Sequence, residues 1–192
     1  MVALYVDDMI IFSNEMRYID NIIEYFKGNF GIVDLGEPRY CLGIEIFRDR
    51  KNIKFFINQS THIMSTVKKF GLEECKDVRT PAETKQVLSK GDDTEDEVYP
   101  YRELVGSLMY IMIGSRPDIA HSTSSVSKYC DCYKKEHWIA AKRILKYLKT
   151  THTYGILYDG NSKFNITGFA DANWASDIDT RKIDYWICVY PE

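Results

Sequence analysis

The sequence lacks an excess of positive charge. Among its 192 residues, 25 are Lys or Arg and 28 are Asp or Glu, which gives a formal net charge of −3. This balance excludes a protein of the histone type, whose affinity for nucleic acid comes from bulk positive charge, but it permits a local basic surface. With 45% hydrophobic and 28% charged residues, the chain has the composition of a globular protein rather than a disordered one.

A long hydrophobic run is also missing. The longest apolar stretch, residues 104–113, contains Gly106, Ser107 and Tyr110 and is far shorter than the roughly 20 residues that a membrane span needs. We therefore expect no membrane partner. Because strand-like apolar segments stand at both ends of the sequence, where polar and frayed residues are usual, we expect the chain to be part of a longer protein.

Cysteine is scarce, and its spacing argues against a disulfide framework. The five cysteines are an odd number, spread widely along the chain with no basic leader before them. A reduced, intracellular chain, cytoplasmic or nuclear, is therefore expected. Cys130 and Cys132 lie between His121 and His137, but their one-residue spacing and the lack of a second pair favour free, mostly buried thiols over a zinc site.

Motifs of several enzyme classes are absent as well. The sequence contains no G-x-G-x-x-G, no G-K-[ST] and no G-x-S-x-G segment. A nucleotide-cradling loop and a serine-hydrolase nucleophile therefore have no support, and the chemistry has to be sought among carboxylates and basic residues.

The periodicity of the apolar residues predicts an α+β fold. Over residues 73–100 this periodicity disappears and acidic residues cluster, which indicates a linker. The predicted order is a hairpin (2–6 and 9–12), an amphipathic helix, a second hairpin (40–47 and 53–57), a helix (60–70), the linker (73–100), a group of helices (101–150) and two strands (154–158 and 164–171).

Two adjacent carboxylates are the first residues that suggest chemistry. Asp7 and Asp8 are predicted to form the two-residue turn of the first hairpin, between strands that are almost entirely apolar. Carboxylate pairs of this kind commonly bind divalent cations, and two-metal phosphoryl transfer needs acidic ligands that bridge ions about 4 Å apart. Spacing alone leaves open the alternative that both are solvated turn residues.

The segment Tyr5-Val-Asp-Asp8 resembles the signature hairpin of reverse transcriptases, and further segments extend the resemblance over residues 4–182. They follow in the order found in copia-type retrotransposon Pol polyproteins, and this ordered succession is highly specific. The segments are Leu42-Gly-Ile-Glu-Ile46, Tyr101-Arg-Glu-Leu-Val-Gly-Ser-Leu-Met-Tyr110, Arg116-Pro-Asp-Ile-Ala120, His137-Trp138, Arg143-Ile-Leu-Lys-Tyr-Leu-Lys149 and Asp171-Ala-Asn-Trp-Ala175. The chain thus resembles the C-terminal part of a reverse transcriptase that runs into a ribonuclease H domain.

The resemblance implies roles for the matching positions. Asp7 and Asp8 would be metal-site carboxylates of a polymerase palm, which implies Mg²⁺ or Mn²⁺ as the cofactor. Asp171 would be the first metal-binding carboxylate of a ribonuclease H domain, and residues 40–57 would grip the primer strand. The implied partners are an RNA or DNA template-primer and the rest of the Pol polyprotein.

The resemblance also implies a division of the chain into four parts. Its fold would comprise a partial polymerase palm and thumb, a helical connection and the start of a ribonuclease H-like sheet. The parts are the C-terminal palm with the primer-grip hairpin and the start of the thumb (1–72), the acidic linker (73–100), the helical thumb or connection (101–150) and a truncated ribonuclease H-like segment (151–192).

Residues 134–149 form the strongest predicted helix. Trp138, Ala141, Leu145 and Leu148 share one face of it. The remaining positions carry a single acidic residue and six basic residues that can neutralise template-primer phosphates, namely Lys134, Lys135, Lys142, Arg143, Lys146 and Lys149. The alternative is an amphipathic helix with an ordinary solvated outer face.

The resemblance is incomplete in ways that bear on activity. Polymerases of this family use a third palm carboxylate and a fingers subdomain upstream of the hairpin, and ribonuclease H uses further acids downstream of its first. Judged from the residues alone, Asp171 also fits a strand-end cap or turn residue. We therefore expect a catalytically incomplete reverse-transcriptase fragment, with a nucleic-acid-binding remnant or an inert relic of a transposable element as alternatives.

Overall fold

The computed structural model describes residues 1–83, 88–90, 98–162, 166–173 and 184–191. The chain divides into two compact units, Met1–Leu42 and Gly43–Glu192. Five α-helices and several antiparallel strands occur along the described residues, so the predicted α+β class is confirmed. No helix in this part of the chain is long and apolar enough to cross a membrane.

The smaller unit consists of a hairpin, a helix and a short strand. Strands β1 (Val2–Tyr5) and β2 (Asp8–Ile11) pair antiparallel, helix α1 spans Met16–Asn29, and β3 covers Tyr40–Cys41. The predicted first hairpin and the helix after it are therefore confirmed. None of the residues in this unit is buried, and several large apolar side chains are exposed.

Three strands of the larger unit, two before its helices and one after them, pair antiparallel. Strands β4 (Ile44–Asp49) and β5 (Lys54–Asn58) form the predicted second hairpin. Strand β6 (Gly155–Asp159) then pairs with β5 along its other edge. The strand predicted at residues 154–158 is thus present, but it joins the hairpin that precedes the helices rather than the strands that follow it in sequence.

Glycine allows β6 to approach β5 closely. A Cβ atom on Gly155 would overlap the carbonyl oxygen of Ile57 and lie 2.8 Å from the Cβ of Asn58. At the other end of β6, a Cβ atom on Gly160 would lie 2.5 Å from the Cγ2 of Ile53. The two glycines therefore permit a register that larger residues would disrupt.

Four helices build the core of the larger unit: α2 (Ser60–Lys69), α3 (Tyr101–Gly114), α4 (Ala120–Ser127) and α5 (Lys135–Thr150). The apolar face predicted for residues 134–149 lies in this core, because Leu145 and Leu148 of α5 are fully buried. Leu104, Leu108 and Ile111 of α3 are fully buried as well. Burial of each such side chain contributes about 1.5–3 kcal/mol to stability. The helices predicted in residues 60–70 and 101–150 are confirmed.

An ion pair with a buried guanidinium fixes the C-terminal end of α5. The guanidinium of Arg116, only 1% exposed, donates to both carboxylate oxygens of Asp118 at 2.9 and 2.7 Å. It also donates to the carbonyl of Thr151 at 2.8 Å and to its hydroxyl at 2.7 Å. The rings of Tyr147 and Tyr154 lie over the guanidinium. The Arg-Pro-Asp segment therefore ties the turn before α4 to a helix end where a cation is favourable.

A two-stranded hairpin follows β6. Strand β7 (Ile166–Asn173) pairs antiparallel with β8 (Asp184–Pro191). The predicted strand at residues 164–171 is confirmed from residue 166 onward, while its first two residues lie outside the described part of the chain. The acidic run of the linker also lies outside the described residues.

Candidate metal hairpin and nucleic-acid surface

The two adjacent carboxylates lie at the tip of the β1–β2 hairpin. Tyr5 pairs with Asp8, so Val6 and Asp7 form the two-residue turn and Asp8 begins β2. The prediction that Asp7 and Asp8 make the turn is therefore wrong by one residue. Val6 adopts a φ of +50°, which is unfavourable for a β-branched residue. Cross-strand pairing of the apolar residues behind the tip offsets this local cost.

The hairpin presents both carboxylates to solvent. Asp7 and Asp8 are both exposed. Burial, and to a smaller extent the negative charge of Asp8, raise the pKa of the Cys41 thiol. Behind the tip, the Phe12 N–H donates to the Met1 carbonyl at 2.8 Å and closes the open end of the hairpin.

The donor set at this tip fits part of a hard-cation site. Carboxylate oxygens are the ligands that Mg²⁺ and Mn²⁺ prefer, and Mg²⁺ is commonly held by one or two carboxylates with water and substrate phosphates in the other positions. Within the described residues, no group of three or more His, Cys, Asp or Glu side chains could hold a metal ion. Asp7 and Asp8 are two carboxylate donors of the kind that such a site uses.

The third predicted metal ligand belongs to the larger unit. Asp171 lies within β7, opposite Trp186 of β8, and the strand continues for two residues beyond it. It is therefore a strand residue rather than the strand-end residue that the pattern predicted. The nearby Asp177 and Asp179 lie outside the described residues.

The Leu-Gly-Ile-Glu segment has a structural function that the sequence pattern did not show. Gly43 has a φ of +78°, and a Cβ atom there would lie 3.2 Å from the hydroxyl of Tyr110. The Glu45 carboxylate accepts a hydrogen bond from the Thr61 N–H at 2.7 Å. An acidic group at this position satisfies one of the free N–H groups in the first turn of α2 and interacts favourably with the helix dipole. The segment therefore attaches β4 to α2.

The six basic residues around α5 do not form one equivalent set. Lys134 caps the helix, and its backbone N–H donates to the Nδ1 of His137 at 2.8 Å. The ammonium of Lys142 lies over the ring of Trp138 at 5.2 Å from its centroid. Lys135 is exposed, and Lys142 and Lys146 are partly exposed, so these side chains reach solvent on the outer side of the helix.

The remaining two cations contact the linker. Residues 75–83, which we call the strap, lie along one flank of α5. Arg143 donates to the Glu83 carboxylate at 2.7 Å and to the Thr80 hydroxyl at 3.1 Å. Lys149 donates to the Cys75 carbonyl at 2.8 Å. Because their side chains are only 26% and 19% exposed, Arg143 and Lys149 act mainly within the fold.

Comparison with known proteins shows which proteins the chain resembles. Residues 1–84 match the reverse transcriptase (RNA-dependent DNA polymerase) family. The whole chain is 38% identical over 189 residues to the retrovirus-related Pol polyprotein from transposon TNT 1-94 of Nicotiana tabacum, covering 95% of this chain. It is 31% identical over 177 residues to the Pol polyprotein from transposon RE1 of Arabidopsis thaliana, covering 92% of this chain. The chain is therefore related to retrotransposon Pol polyproteins, and specifically to those of the copia type.

The chain corresponds to a small part of these polyproteins. It spans 14% of the tobacco protein and 12% of the RE1 protein. It is also 28% identical to an uncharacterized mitochondrial protein, AtMg00810 of Arabidopsis thaliana, over 97% of this chain and 77% of that protein. No solved structure matches the chain significantly.

Proposed function

We propose that this chain is the part of a retrotransposon reverse transcriptase that carries two metal-site carboxylates and holds the template-primer, and that it does not polymerise DNA by itself. The β1–β2 hairpin, which presents Asp7 and Asp8 to solvent at its tip, is the observation on which this proposal rests. The match of residues 1–84 to the reverse transcriptase family supports it.

In this proposal, an incomplete set of metal ligands accounts for the inactivity. When bound, Mg²⁺ or Mn²⁺ would neutralise negative charge on a reacting phosphate. Asp7 and Asp8 would hold such an ion with two oxygen donors, while two-metal chemistry needs a complete cage that fixes the ions and neutralises the developing charge. Within the described residues no third acidic ligand is brought to the tip, and in this proposal the rest of the polyprotein supplies the remaining ligands.

The other parts of the chain would position nucleic acid. The β4–β5 hairpin would be the primer grip, and the capping contact from Glu45 to Thr61 would hold it against α2 as the start of a thumb. Asp171 would be the first carboxylate of a ribonuclease H-like sheet that begins with β7. These assignments rest on the family resemblance together with the elements on which the matching residues lie.

The outer side of α5 is the proposed contact for nucleic-acid phosphates. Lys142 and Lys146 are one helical turn apart, about 6 Å along the axis, and both reach solvent. The carboxylates of the strap pair with two other cations of the helix, Arg143 and Lys149. Lys142 and Lys146 therefore leave their charges available to an external anion, and each phosphate contact would steepen the salt dependence of binding.

Neutralising these two lysines tests the proposed contact. In Lys142→Gln/Lys146→Gln, the affinity for a short RNA–DNA duplex is expected to fall several-fold at low salt. The plot of the logarithm of the binding constant against the logarithm of the salt concentration has a negative slope. Its magnitude is expected to decrease by about two, since each lost phosphate contact removes about 0.9. Fluorescence anisotropy with a labelled duplex, titrated at several salt concentrations, measures both quantities.

A charge-matched variant provides the control. Arg17 and Lys27 are exposed residues of α1, and Arg17→Gln/Lys27→Gln lowers the net charge by the same amount without touching α5. The control is expected to keep the wild-type slope. A wild-type chain with no duplex affinity at low salt, or an equal loss of slope in both variants, would contradict phosphate binding by α5.

A further inference from the structure

The strap carries two acidic and two basic residues. Its two acidic residues point to α5, where Glu83 pairs with Arg143 at 2.7 Å and Asp77 lies 4.0 Å from Lys149. Its two basic residues, Lys76 and Arg79, are exposed. The strap therefore neutralises two cations of the helix and presents two cations of its own to solvent beside them.

Several contacts hold the strap in this orientation. The Val78 N–H donates to the Thr150 hydroxyl at 3.2 Å, between the anchors at Cys75 and Thr80. These contacts extend from Arg143 to Thr150, about 10 Å along the helix axis. Lys76 and Arg79 lie between the first and last anchors and so are held at the flank of α5 rather than on a freely moving loop.

We propose that Lys76 and Arg79 of the strap form one phosphate-binding surface with Lys142 and Lys146 of α5. This inference rests on the proposed function, because it enlarges the surface that α5 offers to nucleic acid. Lys146 stands three residues from both Arg143 and Lys149 on the helix, and the strap covers the flank that those two residues occupy. The first half of the linker is thus part of the nucleic-acid interface.

The chemistry of this surface favours the nucleic-acid backbone over the bases. The ring of Trp138 stacks on Tyr99 at a centroid distance of 5.4 Å and an angle of 16°. The ammonium of Lys142 also lies over the same ring. Because these contacts already engage the indole, it is poorly placed to stack on an unpaired base, and the surface would bind phosphates without regard to sequence.

Neutralising the outward cations of the strap tests the inference. In Lys76→Gln/Arg79→Gln, the affinity for the RNA–DNA duplex is expected to fall several-fold at low salt. The magnitude of the slope of log K against log salt concentration is expected to decrease by about two. Both side chains are exposed, so the thermal unfolding midpoint is expected to stay at the wild-type value. The same anisotropy titration, with Arg17→Gln/Lys27→Gln as the charge-matched control, gives the comparison.

The outcomes separate this inference from the proposed function. A loss of slope in Lys142→Gln/Lys146→Gln but a control-like slope in Lys76→Gln/Arg79→Gln would overturn the role of the strap and leave α5 as the contact. An unchanged slope in both pairs would overturn the proposed function of α5 itself. Equal affinity for duplexes of unrelated sequence is expected, and a strong preference for one sequence or for single strands would contradict backbone recognition.

Discussion

At the residue scale, Arg116 carries a charge into the core of the larger unit and depends on the carboxylate of Asp118. Burial opposes ionisation of Asp118, but hydrogen bonds from Arg116 and Tyr147 together with the charge of Arg116 outweigh it and lower the pKa of the carboxyl. The Tyr147 hydroxyl donates to Asp118 at 2.8 Å. The ionised form of Asp118 is therefore the form that stabilises the fold.

The substitution Asp118→Asn is expected to lower the free energy of unfolding at neutral pH by about 2–3 kcal/mol. This is less than the loss for a fully buried pair, since the Asp118 side chain is 39% exposed. A carboxyl with a lowered pKa in the folded state stabilises the protein above its unfolded pKa of about 3.9 and loses that contribution as the pH falls through the folded value. Denaturant unfolding of both proteins at neutral pH and near pH 3 measures this.

The difference between wild type and Asp118→Asn should therefore shrink on acidification. An equal difference at both pH values would contradict the assigned ionisation of Asp118. The same experiment distinguishes a charge effect from a packing effect, because the asparagine side chain has nearly the shape of aspartate and does not titrate.

Which individual residues can be predicted from the sequence depends on how local their contacts are. Asp7 and Asp8 stand out because adjacent carboxylates between apolar strands have a recognisable pattern. The turn at Val6 was missed because a β-branched residue is a poor choice for a positive φ. The partner of Arg116 at Thr151 could not be predicted, since no local pattern links positions so far apart in the chain.

At the element scale, the pairing of β6 with β5 depends on the absence of a side chain at Gly155. In Gly155→Ala, the new Cβ atom would overlap the Ile57 carbonyl oxygen, so the strands must move apart. We expect the free energy of unfolding to fall by about 1–3 kcal/mol, the range typical of overpacking. Denaturant unfolding monitored by circular dichroism gives the value.

Gly168 in β7 offers a matched control. A Cβ atom there would meet nothing within 4 Å, so Gly168→Ala is expected to change stability by less than about 1 kcal/mol. If Gly155→Ala proves as stable as Gly168→Ala, the close approach of β6 to β5 is wrong.

The elements themselves were more predictable than their partners. The helices of the larger unit follow from apolar residues three and four positions apart, and Ala141, Leu145 and Leu148 of the predicted apolar face are buried. The register between β5 and β6 was not predictable, because the strands are separated by the whole helical core. The strap was likewise missed, since residues 75–83 have linker composition and acquire their order from contacts with α5.

At the scale of the whole molecule, the two units differ in how they are stabilised. Among the residues that the structure describes, fourteen buried side chains form the core cluster of the larger unit, whereas none of residues 1–42 is buried. The helices of the larger unit therefore enclose a buried apolar core. The exposed apolar side chains of the smaller unit agree with the proposal that other parts of a polyprotein complete the metal site.

In the proposed function, the β1–β2 hairpin supplies metal ligands to a reverse transcriptase whose other ligands come from the rest of a polyprotein. The most direct measurement is Mg²⁺-dependent nucleotide incorporation on a primed RNA template. It compares this chain alone with this chain fused behind the segment that precedes the matched region in the tobacco polyprotein. We expect no incorporation by the chain alone, incorporation by the fusion, and loss of that activity in Asp7→Asn or Asp8→Asn fusions.

Two results would contradict the proposed role of the hairpin as an incomplete source of metal ligands. One is incorporation by the chain alone that disappears in Asp7→Asn, because the site would then be complete without other ligands. The other is a fusion that folds and binds the primed template but incorporates equally well with Asp7→Asn/Asp8→Asn, because the hairpin would then play no part in the chemistry.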